Sequence, residues 1–181
     1  MRASVTSSLS FSACRIPDNM WLPGAVGLKA ALARLSHTLY GIGWGVLGPA
    51  VERLEDARQD SIERKQCDNR PIASHQLVQE KLAWTAAEAA KARVLAPQCS
   101  RLKNQGKLAF AHISTVKRNN VAISLECARL ARGLPGANGI VGDRPVMRHH
   151  CNLETVNACE GTDHIHALVI GKRLTGIAAC K

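Results

Sequence analysis

One carboxylate in this chain stands where chemistry could be done. Glu160 is followed at once by Gly161 and Thr162, then by Asp163-His164-Ile165-His166. From Ile165 onward, Leu168, Val169 and Lys172 recur at i, i+3, i+4 and i+7, the mark of one helix face. A carboxylate at such a boundary is fixed by the helix start yet stays outside its hydrogen-bond ladder. Gly161 lets backbone approach a ligand closely, and Thr162 can serve as N-cap or donate to a bound group. Taken alone, an acidic residue before a helix also reads as a solvated group favoured by the helix dipole.

Other chemistry-bearing residues are less well arranged. His149-His150-Cys151 with Cys159, His164 and His166 match no standard zinc spacing, and several would fall on different helix faces. No metal site is expected. Lys117-Arg118 with Asn119-Asn120 is the densest basic cluster, but no aromatic residue interleaves it to stack on bases. The formal charge of +10 would suit an anionic partner. With the charges scattered along helical segments, most read as solvated faces and nucleic acid is not expected. Seven cysteines form no C-x-x-C pair and are odd in number, which reads as reduced thiols in an intracellular protein.

The elements that must position Glu160 are mostly helical. Apolar residues make up 46% and aromatics 3%, so the core must be aliphatic and Ala-rich. The 181 residues suit one domain plus an appendage. No apolar run approaches the roughly 18 residues of a membrane span. Residues 1–25 read as two short strands with turns at Pro17-Asp18-Asn19 and Pro23-Gly24. The Ser-rich, acid-free opening also resembles an organellar transit peptide.

A first long helix is expected from near Ala30 to about Arg64, with a core stripe at Leu47, Val51, Leu54 and Ile62. Its glycines 41, 43, 45 and 48 call for close approach by a neighbouring helix or a ligand. Cys67 to Pro71 reads as a loop. A second helix takes about 73–103, with Val78, Leu82, Ala86, Ala89 and Ala92 inward and a kink or break before Pro97. A third covers about 109–134, with Ile113, Val116, Ile123, Cys127 and Leu130 on one face. A glycine-rich loop at 133–142, a short helix at about 144–158 and a last one at about 162–178 complete an up-and-down bundle.

Cys159-Glu160-Gly161-Thr162 resembles the catalytic-glutamate segment of the acyl-CoA dehydrogenases, most closely the glutaryl-CoA dehydrogenases. Matching runs include Tyr40-Gly41-Ile42-Gly43-Trp44-Gly45, Asp60 to Gln66, Lys117 to Asn120, Gly136-Ala137-Asn138-Gly139, Pro145 to His149 and Asn152-Leu153-Glu154. The resemblance covers about the C-terminal half of such an enzyme. It implies a C-terminal helical-bundle domain over 26–181, with 1–25 a remnant of the middle β-domain. The N-terminal helical domain and most of the β-domain have no counterpart in the sequence.

The family's reaction is an α,β-dehydrogenation: a carboxylate in a dry pocket takes the α-proton of an acyl thioester while FAD accepts the β-hydride. Glutaryl-specific members also decarboxylate, giving crotonyl-CoA. By resemblance Glu160 is the base, buried in the groove between the 133–142 loop and the closing helix. Arg64, Gln66, Gln76, Gly133, Leu134, Pro135, Gly136, Ala137, Thr162, Asp163 and His164 would hold FAD. Ser36, Tyr40, Gly161 and Lys172 would meet the acyl-CoA. Arg64 is expected to serve the FAD of a neighbouring subunit in a homo-oligomer, a tetramer in the family, with electron-transfer flavoprotein as acceptor. The expected location is the cytoplasm of a bacterium, alternatively a mitochondrial matrix.

The sequence departs from the family at Leu39 and Pro135, at Ala137 in place of a glycine, and at Cys159 in place of a tyrosine. The segment Gln66-Cys67-Asp68-Asn69-Arg70-Pro71 carries one extra residue. The alternative reading is a truncated, non-catalytic helical module that serves subunit association.

Overall fold

The structure, a computed structural model, describes Val5 and residues 7–179. It is a bundle of six helices: α1 (Leu28–Gly45), α2 (Leu47–Glu63), α3 (Gln76–Asn104), α4 (Phe110–Gly133), α5 (Val146–Ala158) and α6 (Asp163–Thr175). A two-residue hairpin, β1 (Lys65–Gln66) with β2 (Arg70–Pro71), joins α2 to the approach of α3. α4 is the centre, packing against each of the other five helices.

The long first helix is two helices. Pro49 has no N–H to give the Gly45 carbonyl, so the ladder breaks at Val46. Ser124 of α4 repairs the junction by donating to the Val46 carbonyl at 2.9 Å. Of the four glycines, Gly43 marks a close helix approach: a Cβ there would lie 2.6 Å from Val116 Cγ1. Pro97 does not break α3, which runs on for 29 residues. Arg93, whose carbonyl loses its partner to that proline, lies on the exposed side, where water can serve it.

The core is Ala-rich, as the composition demands. One cluster joins Leu39, Leu47, Ala92, Ala96, Ile113 and Val116; others gather Val121, Leu125, Ala128 and Leu153, and Ala57, Ala131 and Val146. The inward stripe of α2 differs from the expected one. Val51 and Ile62 are exposed, and the buried face is Leu47, Ala50, Arg53, Ala57, Asp60 and Ser61. On α3, Ala86 points outward and Thr85 inward, its hydroxyl folded back onto the Lys81 carbonyl. On α6, Ile165 and Leu168 are exposed, and the one buried side chain is His166. In each case a polar residue holds the inward position because it finds a backbone partner or is boxed in by neighbours, which an apolar pattern does not encode.

Residues 7–27 form no strand. They carry one 3-10 turn, Asp18–Met20, and a turn in which Ala25 N–H reaches the Leu22 carbonyl. Both fall where proline and glycine placed them, but a strand needs a ladder partner and the described residues offer none. The 67–71 loop is tighter than expected. Cys67, Asp68 and Asn69 all take left-handed φ values of 47°, 64° and 60°, closing the β1–β2 hairpin.

Arg53 has no exposed surface, and its Nε, Nη1 and Nη2 have no hydrogen-bond partner. Burial pushes its pKa down to about 10, against the pull of Glu52, Cys127 and Asp56. A buried charge without partners costs stability, and apolar replacements of buried ionic groups commonly gain about 1–4 kcal/mol. Arg53→Met is expected to raise the urea unfolding midpoint; a lower midpoint would show that the guanidinium is a net stabiliser.

Candidate functional site

Glu160 sits in the four-residue turn between α5 and α6, and its position is set from below by Lys117. This lysine of α4 is 1% exposed. Its Nζ donates to the carbonyl of Asn157, in the last turn of α5, at 3.2 Å and to that of Gly161 at 2.7 Å. A cation at a helix C-terminus meets the negative end of the dipole, so one ammonium both caps α5 and pins the turn. Burial pushes Lys117 below its ordinary pKa, while Cys159, Asp163 and Glu160 pull the other way.

Two backbone features complete the turn. Glu160 has φ 58° and Gly161 φ 103°. A Cβ at 161 would also stand 3.1 Å from Nε2 of His166, so only glycine fits there. Left-handed backbone at a non-glycine residue is uncommon, and such strain gathers at functional sites. The His166 ring lies under Gly161, its Nδ1 3.1 Å from Ser114 Oγ. Burial pushes its imidazole below the ordinary value, with the Lys117 charge adding to the effect. Thr162 caps α6 loosely, Oγ1 accepting from Ile165 N–H at 3.5 Å, and Asp163 pairs with Arg118 at 2.9 Å.

The Glu160 side chain crosses to α1, where its Oε2 accepts from Thr38 Oγ1 at 2.5 Å. It is half-buried and meets α1, while the 133–142 loop follows the far end of α4, so the expectation of an acid buried in the groove between that loop and the closing helix is corrected. On the opposite side of α1, two residues either way from Thr38, Tyr40 and Ser36 line a cavity of about 280 Å³ with His37, Lys103, Leu108 and Phe110. Tyr40 is held by Ser100 at 2.6 Å, and Lys103 stands 4.5 Å above its ring. Lys172 and Arg173 border a separate recess of about 480 Å³ beside Phe110. Thr38 and Glu160 thus meet on the α5 side of α1, while Ser36 and Tyr40 face α3 and α4 on its other side, so the expected substrate residues are not brought together, and Lys172 lies further along α6.

The residues expected at the cofactor divide into two groups. Arg64 meets Leu134 to Gly136: its Nη1 reaches the Leu134 carbonyl at 3.4 Å, and a Cβ on Gly136 would stand 3.4 Å from its nitrogens. Among the described residues no carboxylate pairs with Arg64. Gln66 is exposed on the hairpin, Gln76 is exposed at the start of α3, and Gly133 and Ala137 are exposed beside buried Pro135. Asp163 pairs with Arg118 in the first half of α4, with Thr162 and exposed His164 beside it in the chain. From Arg118 to Leu134 the helix axis advances about 24 Å at 1.5 Å per residue. Sequence reasoning missed Thr38, Lys117 and Ser114; for the two on α4 the only signal was a three-residue spacing of polar side chains.

The family model described as acyl-CoA dehydrogenase, C-terminal domain, matches residues 25–175. The chain belongs to the acyl-CoA dehydrogenase family. It is 30% identical over 176 residues to the human mitochondrial short-chain specific acyl-CoA dehydrogenase, covering 96% of this chain and 42% of that protein. The crystal structure of a glutaryl-CoA dehydrogenase from Mycobacterium smegmatis superposes with a TM-score of 0.89 at 45% identity, over 92% of this chain and 43% of that one. A glutaryl-CoA dehydrogenase from the same organism in complex with FADH2 gives 0.84 at 39% identity, over 88% and 41%. The chain thus spans less than half the length of these relatives. No helix among the described residues is long and apolar enough to cross a membrane, and no three His, Cys, Asp or Glu side chains there are placed to hold a metal ion.

Two outcomes test the turn. Lys117→Met strands two buried carbonyls and is expected to cost about 1–3 kcal/mol in urea unfolding; an unchanged midpoint would mean the ammonium bonds contribute nothing. His166, and His149 where burial and the charge of Arg53 act alike, are held below the ordinary 6.5 when folded. As pH falls below 6.5 the unfolded chain takes up protons first, so the stability these residues give above 6.5 is lost through their folded pKa values. Unfolding midpoints at pH 7.5 and about 5.5 should fall in that order, with a flatter slope in His166→Asn.

Proposed function

We propose that the chain is the helical part of an FAD-dependent acyl-CoA dehydrogenase of the glutaryl-CoA type, with Glu160 as the base that takes the α-proton of an acyl thioester. The carrying observation is the strained, pinned turn at 160–161. It presents a carboxylate that is anchored through Oε2 on α1 and has no hydrogen-bond partner on Oε1 among the described residues. A base must be held at fixed reach of the proton it abstracts. Decarboxylation of glutaryl-CoA to crotonyl-CoA, and delivery of electrons to an electron-transfer flavoprotein, complete the expected cycle. The likeness to glutaryl-CoA dehydrogenases supports the substrate.

The residues present fit a flavin dinucleotide in parts. The Arg64 guanidinium, set against glycine backbone and without an acidic partner, suits a pyrophosphate, which a rigid fork of donors binds well. The Thr162 hydroxyl, with Asp163 and His164 behind it, suits the flavin end. FAD, when bound, supplies the acceptor for the β-hydride. The thioester would lie beside Gly161, and on the other side of α1 Lys103 offers a cation and Tyr40 with Phe110 an aromatic wall. Since the two cofactor groups lie about 24 Å apart along α4, each FAD would take Arg64 from one copy and Thr162 from another, which favours a homo-oligomer.

A second reading has an observation of its own. Trp44 and Val51, both exposed, border an open recess of about 670 Å³ between α2 and α3 with Leu47, Gly48 and Pro97. Such a face suits association between subunits without catalysis. Purification with added FAD separates the readings. Retained flavin colour, bleached by glutaryl-CoA, supports the enzyme, and Glu160→Gln should slow that bleaching by about 10²–10⁴-fold. Colourless protein that leaves added flavin oxidised sinks it.

A further inference from the structure

The Thr38 hydroxyl has a single proton and two acceptors within reach: Glu160 Oε2 at 2.5 Å and the carbonyl of Leu35, one turn back on α1, at 3.0 Å. It can serve only one at a time. A carboxylate is a far stronger acceptor than an amide carbonyl, so the proton goes to Oε2 while Glu160 is ionised. When Glu160 is neutral its carbonyl oxygen loses that advantage, and the hydroxyl can turn back to Leu35 without leaving a donor unpaired. The contact spans 122 residues of sequence, bringing α1 to the α5–α6 turn.

We propose that Thr38 is the positioning residue of Glu160: it fixes Oε2 of the ionised side chain and so assigns Oε1 as the oxygen that takes the proton. This rests on the reading of Glu160 as the base. In that step the Cα–H bond of the thioester breaks, its electron pair stays on carbon, and the proton moves to Oε1. Lys117 fixes only the backbone of the turn through the Asn157 and Gly161 carbonyls, so the rotamer of Glu160 has no other hydrogen-bonded anchor among the described residues. Tyr40 and Ser36 are committed elsewhere, to Ser100 and to the Leu32 carbonyl.

The test is a double-mutant cycle on the full chain with Thr38→Val, Thr38→Ser, Glu160→Ala and Thr38→Val/Glu160→Ala, read by urea unfolding at pH 7. Thr38→Val should raise the unfolding constant about three- to tenfold with Glu160 present and leave it unchanged in the Glu160→Ala background, and Thr38→Ser should match the parent protein. Equal effects in both backgrounds would overturn the proposal, as would a Thr38→Ser variant that behaves like Thr38→Val. With added flavin and glutaryl-CoA, Thr38→Val should lower kcat with KM unchanged and Thr38→Ser should restore it. Failure of flavin reduction in every variant would remove Glu160 as base while the stability coupling still reports on the contact, so the two ideas fail separately.

Discussion

The bundle depends on a row of polar side chains that α4 buries and aims at its neighbours, three at backbone carbonyls and Ser114 at the His166 ring. Ser114, Lys117, Asn120 and Ser124 are all 1% exposed or less. They recur at three- and four-residue steps, so they share one side of the helix. Asn120 donates to the Gly43 carbonyl of α1 at 2.8 Å and to Ala92 of α3 at 3.3 Å. Ser124 holds the α1–α2 junction, Lys117 the α5–α6 turn, and Ser114 the first turn of α6. An Ala-rich core gives α4 little shape to distinguish one register from another. Hydrogen bonds that find carbonyls only in one alignment supply that selection, since each left unmade would cost about 1–3 kcal/mol.

Two buried cations show why partners decide whether such a group stabilises. Lys117 and Arg53 are equally hidden, and burial lowers the pKa of both. Lys117 meets two carbonyls at the end of a helix and lies near Glu160 and Asp163, so much of its lost hydration is replaced. Arg53 meets no acceptor and has only more distant carboxylates to offset it. One charge therefore sets a turn, while the other strains the α2 face that carries it.

Helix content, the order of elements and the site turn were legible in the sequence, because glycine, proline and apolar periodicity mark ends and faces. The α6 start at Thr162 is of that kind, while its end comes earlier than the expected 178, at Gly176, which takes φ 74° and returns its N–H to Lys172. The break at Val46 comes from Pro49, whose absent donor acts four residues earlier, while the glycines around it carry no such signal. The inward face of α6 was inverted, because His166 outcompetes Ile165 and Leu168 for the core by bonding Ser114. Lys117 was read as solvated for the same reason: a periodicity of apolar residues cannot show that a lysine ends on carbonyls 40 and 44 residues away. Thr38 was invisible altogether, since its role exists only once α1 lies against the α5–α6 turn.

The length of α4 then constrains how the site can be completed. Its first half carries Lys117 and Arg118 under Glu160 and Thr162, while its far end leads into the loop against Arg64. A rigid helix keeps those two groups about 24 Å apart whatever the surrounding loops do. Side chains on one copy therefore cannot close from both ends upon a single compact ligand. An elongated ligand could touch both only by lying along α4, where α1, α2 and α5 already pack. A second copy with its Arg64 end turned toward this Glu160 end removes the conflict and places the exposed apolar residues of α2 and α3 among the surfaces available to be covered. The fixed spacing along one helix thus favours a shared site for the two groups that the family resemblance assigns to the cofactor.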